Sequence, residues 1–302
     1  MSAILEALAP VAAIVALGWV LRHHAILDDG FWAPAETLTY YLLLPALFAG
    51  SLGRAHLAGL AAPPMALAIA GGLVLGAGVM LALRRGLGVD GPAFSSLFQG
   101  SIRPNSYIGI AVAFALYGGV GLALSAIAVA TYVPLVNVLS VAVLSRHATR
   151  SDWGTVVRAL VRNPLIIACL AGLVLNLSGF DSLPGLDAAL DILGRAALAL
   201  GLLCVGGALT FGGLHKAGRG LAAVCAVKLL LVPLATAAAC RLLGVGGASA
   251  TVAVLFTALP SATSAYILAR QMGGDAPLMA QVIAATHLAA AFTLPFVLLI
   301  AA

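Results

Sequence analysis

Charged side chains are scarce in this chain: 8% of its 302 residues, against 63% hydrophobic. Soluble domains carry about a quarter charged residues, so a water-soluble globule is excluded and a polytopic membrane protein is expected. The 15 Lys and Arg residues outnumber the acidic ones and give a formal charge of +5. They are scattered over short loops, make no basic patch and so argue against a nucleic-acid partner. The four cysteines, Cys169, Cys204, Cys225 and Cys240, lie in apolar runs without CxxC spacing; buried small side chains are expected there rather than disulfides or zinc. HExxH, GxSxG and GxxxxGKS do not occur. Metal-dependent hydrolysis, serine hydrolysis and ATP-driven pumping therefore lack support, and neither an enzyme nor a cofactor is expected. A cleavable signal peptide is not expected either. "APVAAIVALGWVL" is preceded by Glu6 and followed by "RHH", the order of a first transmembrane helix with its N-terminus outside.

What is abundant is apolar helix. A helix needs about 20 apolar residues to cross the hydrocarbon core. Ten segments qualify: about 3–21, 31–52, 60–83, 92–118, 120–145, 163–179, 188–213, 218–243, 248–271 and 276–301. Short loops join them, which predicts one compact membrane domain over residues 1–302. Odd-numbered loops hold Arg22, Arg84, Arg85, Arg146, Arg150, Arg158, Arg162, Lys216, Arg219 and Arg270; even-numbered loops hold only Arg54 and Arg241. Cytoplasmic loops collect the basic residues, so both termini are expected on the non-cytoplasmic side of the cell (inner) membrane.

The sequence also repeats itself weakly. "SLFQGSIRPNSYIG" in the fourth segment resembles "VLFTALPSATSAYIL" in the ninth. Gly118-Gly119 precedes Gly273-Gly274 by 155 residues, as Thr131 precedes Thr286 and Glu36 precedes Asp191; Pro10 and Gly18 precede Pro164 and Gly172 by 154. Repeats of five helices each, 1–145 and 163–302 around a basic linker at 146–162, would enter the membrane in opposite senses because five is odd. The expected fold is all-α, with ten transmembrane helices in an inverted 5+5 repeat.

Pro104 and Pro260 fall about halfway along the fourth and ninth segments. Proline removes a backbone donor and clashes with the preceding turn, and in hydrocarbon the freed groups need protein or a polar cavity. Crossed breaks would leave two half-helices starting near the midplane, capped by Asn105 or Ser106 in one and by Ser261 or Thr263 in the other. Their free N–H groups and positive dipole ends favour an anion, and Arg103 adds a full positive charge.

The runs "RPNSYIGIAVAFALYG", "NPLIIACLAGLVLNLSG" and "ALPSATSAYILARQMGGDAPLMAQVI" resemble the auxin efflux carrier family, which includes plant auxin exporters and bacterial malonate transporters. The resemblance spans nearly the whole chain. It implies the sodium/bile-acid symporter fold, with helices 1, 2, 6 and 7 as scaffold and 3–5 plus 8–10 as transport domain. It further implies an organic-anion substrate at the crossing of helices 4 and 9, elevator-like alternating access and a homodimer in the lipid bilayer. Pro104, Asn105, Pro260 and the "SATS" run match the family's crossover. Candidate substrate contacts are Arg103, Asn105, Ser106, Tyr107, Ser261, Thr263 and Ser264. The long cytoplasmic loop of many plant members is absent. The alternative is a sodium-coupled organic-anion symporter or sodium/proton antiporter of related fold; such carriers want several carboxylates near the crossing, where this chain has Arg103, Asn105 and hydroxyls.

Other polar residues lie within the segments. Glu36 and Asp191 stand near the starts of helices 2 and 7, as substrate supports, coupling groups or helix-start carboxylates. Asp191 and Arg195 are four apart and can pair. Lys228 is either a counter-charge for a carboxylate or a snorkelling lysine, and His287 is of the one residue type whose ordinary charge change falls near neutral pH. Gln99, Asn137, Asn176, Gln281 and His287 fit interhelical hydrogen bonds better than a cavity lining, and Gly72 with Gly76 makes a small-xxx-small packing pair.

Overall fold

A computed structural model describes residues 2–54, 61–144, 161–178, 184–211 and 218–301. Arg146, Arg150, Arg158, Lys216 and most of the 146–162 linker lie outside these described residues. Among the described residues the regular structure is helical throughout. In chain order the elements are α1 (Ser2–His23), α2 (Asp29–Leu38), α3 (Leu44–Gly53), α4 (Ala62–Leu87), α5 (Gly91–Ile102), α6 (Ser106–Leu144) and α7 (Pro164–Leu177). They continue with α8 (Pro184–Gly207), α9 (Gly218–Ala226), α10 (Val232–Leu242), α11 (Gly247–Ala258), α12 (Ser264–Met272) and α13 (Ala276–Ala301).

Among the described residues six helices are long and apolar enough to cross a membrane: Ile4–His23, Ala62–Leu87, Ser106–Leu144, Gly185–Gly207, Gly218–Leu242 and Ala276–Ile300. The chain is thus an all-α membrane protein. Wide π turns at Thr39–Leu43 and Val227–Leu231 join α2 to α3 and α9 to α10. Each lies just before a proline, Pro45 or Pro233, which takes away the N–H that the ordinary turn would use. Gly118 breaks the helical path inside α6 at φ 55, and Gly273 ends α12 at φ 75. Both are left-handed positions, which explains why glycine stands at each.

The chain divides into two compact units. The first comprises Met1–Leu60, Tyr107–Ala130 and Ala159–Ala208, and the second Ala61–Ser106, Thr131–Arg158 and Leu209–Ala302. In the first unit α1 packs on α8, and α3 on both α7 and α8. Gly18 faces the Leu203 backbone and Gly206 the Val15 backbone, so the α1 and α8 main chains approach without side chains between them. In the second unit α4 packs on α10, α11 on α10 and α13, and α5 on α4 and α13. Gly72 lies against Thr236, and Gly76 against Val232; the small-xxx-small pair serves packing, as its spacing predicts. Cys169, Cys204 and Cys240 are buried, Cys225 is half-buried, and all four are free.

Candidate functional site: two paired helix breaks

α5 and α11 are 12 residues each. At 1.5 Å per residue each spans about 18 Å, well short of a bilayer core of about 30 Å. Both are buried along nearly their whole length, Phe94–Ile102 in α5 and Ser249–Ala258 in α11. They stop where proline dictates. Arg103 before Pro104 has φ −88 and ψ 105, and Leu259 before Pro260 has φ −64 and ψ 151. A residue preceding proline is driven out of the helical region in this way. Both breaks fall in the second unit.

The two breaks pair with each other. Pro104 and Ser261 form an isolated antiparallel bridge. The Asn105 N–H donates to the Pro260 carbonyl at 2.9 Å, and the Ala262 N–H to the Arg103 carbonyl at 3.1 Å. Ser261 anchors the pair further: its hydroxyl donates to the Gly100 carbonyl at 2.6 Å, and its N–H donates to Thr286 Oγ1 at 3.0 Å. The Gly100 carbonyl, which Pro104 leaves without its helical donor, is thus satisfied by protein, as an apolar interior requires.

Around this bridge the predicted residues take different places. The Arg103 Nη2 donates to Asn137 Oδ1 at 2.6 Å. Asn105 is buried, and its Nδ2 lies 3.3 Å from His287 Nε2, whose ring Nδ1 is 2.7 Å from the Ile283 carbonyl. Ser106, the first residue of α6, shares a hydrogen bond with the Tyr132 hydroxyl. Capping at the second break differs from expectation. Ser261 is committed to Gly100, and Thr263, at the N-cap of α12, makes no side-chain cap hydrogen bond. Ser264, which begins α12, is exposed. Tyr107 does not join this group; its ring packs on Gly201 of α8, in the first unit. Thr286, Tyr132 and Gly100 belong to the site but carried no decisive sequence signal. Of the three, Thr286 matches Thr131 in the weak repeat.

Asp191 and Arg195 lie in the first unit. Asp191 pairs with Arg54, not with Arg195: the Arg54 guanidinium donates twice to its carboxylate, at 3.0 and 2.5 Å. The i, i+4 geometry permitted the Arg195 pair, but the two-pronged fit to Arg54 prevails. Arg54, Asp191 and Arg195 line a cavity of about 570 Å³ with Ser51 and Tyr117. Glu36 is half-buried on α2. The Asn176 amide donates to the Leu52 and Gly53 carbonyls at 3.0 and 3.2 Å, tying α7 to α3. Gln281 lines a smaller cavity of about 300 Å³ in the second unit. Lys228 is fully buried, so it does not snorkel. Among the described residues no group of three or more His, Cys, Asp or Glu side chains could hold a metal.

Comparison with known proteins agrees with a transporter. The chain is 26% identical over 294 residues to a protein of Methanothermobacter thermautotrophicus described as an uncharacterized transporter, covering 96% of each chain. Residues 138–298, more than half of the sequence, match the model of the family described as membrane transport protein. The chain therefore belongs to the membrane transport protein family, that of the auxin efflux and malonate-like carriers.

Proposed function

We propose that this chain is a secondary carrier of small organic anions, mono- or dicarboxylates, which bind where the two helix breaks meet. The observation that carries this reading is the Pro104–Ser261 bridge with Arg103 beside it. Helices α6 and α12 begin at that bridge, at Ser106 and Ser264, and helix N-termini favour negative charge. Asn105, Ser106, Thr263 and Ser264 supply further donors, Ser261 ties the two breaks together through Gly100 and Thr286, and Pro104 and Pro260 hold the breaks open. In this reading ten spans form the inverted 5+5 repeat. The first unit groups spans 1, 2, 6 and 7, and the second groups 3, 8, 9 and 10. That grouping supports a scaffold and a moving body, hence elevator-like access, with residues 107–130 an exception that clusters with the first unit. The carrier works as a homodimer in the inner membrane with both termini outside.

The test is uptake and export of radiolabelled carboxylates by proteoliposomes, with and without sodium and a pH gradient. Saturable flux of a small carboxylate, competed by its analogues, is expected. A folded carrier that moves no carboxylate under any of these conditions contradicts the reading, and strict dependence on sodium favours a sodium-coupled symporter.

A further inference from the structure

Lys228 stands in the π turn Val227–Leu231 of the second unit, with no exposed surface, and its Nζ has no hydrogen-bond partner among the described residues. That turn packs against α4, α5, α9, α10, α11 and α13. Their titratable side chains are Arg84 and Arg85 on α4, Arg219 and Cys225 on α9, Cys240 and Arg241 on α10, and His287 on α13; α5 and α11 have none. Not one is a carboxylate. The acidic residues described in the second unit are Asp90 and Asp275, and each is engaged at the first turn of a helix, by Ala93 N–H and Leu278 N–H, both at 2.9 Å.

Among the described residues a permanent ammonium in this position has no counter-charge and no route to an interface, the usual remedy for a lysine in a membrane. Two remedies remain: an anion that shares the interior, or loss of the proton. Both lead to the same place. α5 runs into the first break and α11 into the second, α13 carries Thr286 and His287, and all three pack on the π turn. On α5 the Gln99 amide, one turn before the break, is also fully buried, with neither heteroatom bonded among the described residues. The polar interior around the breaks is thus wider than the bridge itself.

We propose that Lys228 is the proton site of this carrier: its Nζ takes up a proton when an anion enters at the breaks and releases it when the anion leaves. The step balances as amine plus proton giving ammonium, with bulk water as proton source on one side and sink on the other. Anion and proton then travel together, and the buried positive charge exists only while the anion's charge offsets it. This inference rests on the anion-carrier reading.

Lys216 and Lys228 are the only two lysines of the chain, which makes a direct test practical. Selective 15N labelling of lysine side chains in a Lys216→Arg carrier leaves one Nζ resonance, that of Lys228. In lipid nanodiscs this resonance is followed from pH 5 to pH 9, without and with saturating malonate, and malonate flux under a pH gradient is measured in parallel. The expected result is an amine–ammonium transition within that range, moved toward ammonium by malonate. Lys228→Gln and Lys228→Met carriers should keep the fold and lose at least tenfold of the pH-gradient stimulation. An ammonium signal at every pH, or a transition that bound malonate does not move, overturns the proton site; the former leaves Lys228 a fixed counter-ion. If Lys228 titrates but no carboxylate is bound or moved, the anion-carrier reading fails and takes the coupling with it.

Discussion

Ser261→Ala isolates one hydrogen bond on which the paired breaks depend. In an unbroken helix the Gly100 carbonyl would accept from the N–H of residue 104; that residue is Pro104, which has none. The Ser261 hydroxyl takes its place at 2.6 Å, and the side chain has no exposed surface. Removing it strands a buried carbonyl, at a cost of about 1–3 kcal/mol, and hydrocarbon offers no replacement partner. Thr286→Val removes the acceptor of the Ser261 N–H, held at 3.0 Å, and should cost a similar amount. Because both bonds converge on Ser261, the double variant should lose less than the sum of the two. Equilibrium unfolding by SDS in mixed lipid–detergent micelles, followed by circular dichroism, gives all three values. A Ser261→Ala carrier within about 0.5 kcal/mol of the parent would refute the claim that this hydroxyl substitutes for the missing proline donor.

Three further outcomes follow from the geometry. Pro104→Ala restores a backbone donor to Gly100 and lets Arg103 turn helical; transport should collapse while folded protein is retained, as flux against size-exclusion yield would report. Gly18→Ala would place a Cβ 2.9 Å from the Leu203 Cα. This overpacking of α1 against α8 should cost about 1–3 kcal/mol in the same unfolding assay. Asp191→Asn weakens the pair with Arg54, whose side chains are 42% and 46% exposed, so its stability cost should stay below about 1 kcal/mol.

Much of this architecture was legible in the residues because its causes are local. Pro104 and Pro260 stop their helices wherever they occur, and Gly118 and Gly273 mark left-handed positions that few other residues tolerate. Arg103 and Asn105 announced a polar break for the same reason. The partners of these residues were not legible, since they are set by packing between helices distant in sequence. Nothing local joins Asn137 to Arg103 or Tyr132 to Ser106. Capping offered Ser261 and Thr263 as equals, and only the packed structure commits Ser261 to Gly100. Asp191 shows the same limit: the sequence displays its neighbour Arg195, whereas Arg54 lies 137 residues away. Lys228 could be seen to lie within a helix, but its full burial and the lack of any carboxylate on the helices around it emerge only from the fold.

The central claim is that Arg103 and the two helix starts hold the carboxylate of the substrate. It is tested most directly by the initial transport rate per correctly folded carrier in Arg103→Ala, beside Arg103→Lys. A hydrogen bond to a charged group is worth about 1.5–3 kcal/mol, so Arg103→Ala should lower the rate, or raise the half-saturating concentration, roughly ten- to hundredfold. Lysine should restore only part of this, because an ammonium lacks the planar two-pronged match to a carboxylate. An Arg103→Ala carrier that folds and transports with unchanged rate and unchanged apparent affinity would contradict the assignment.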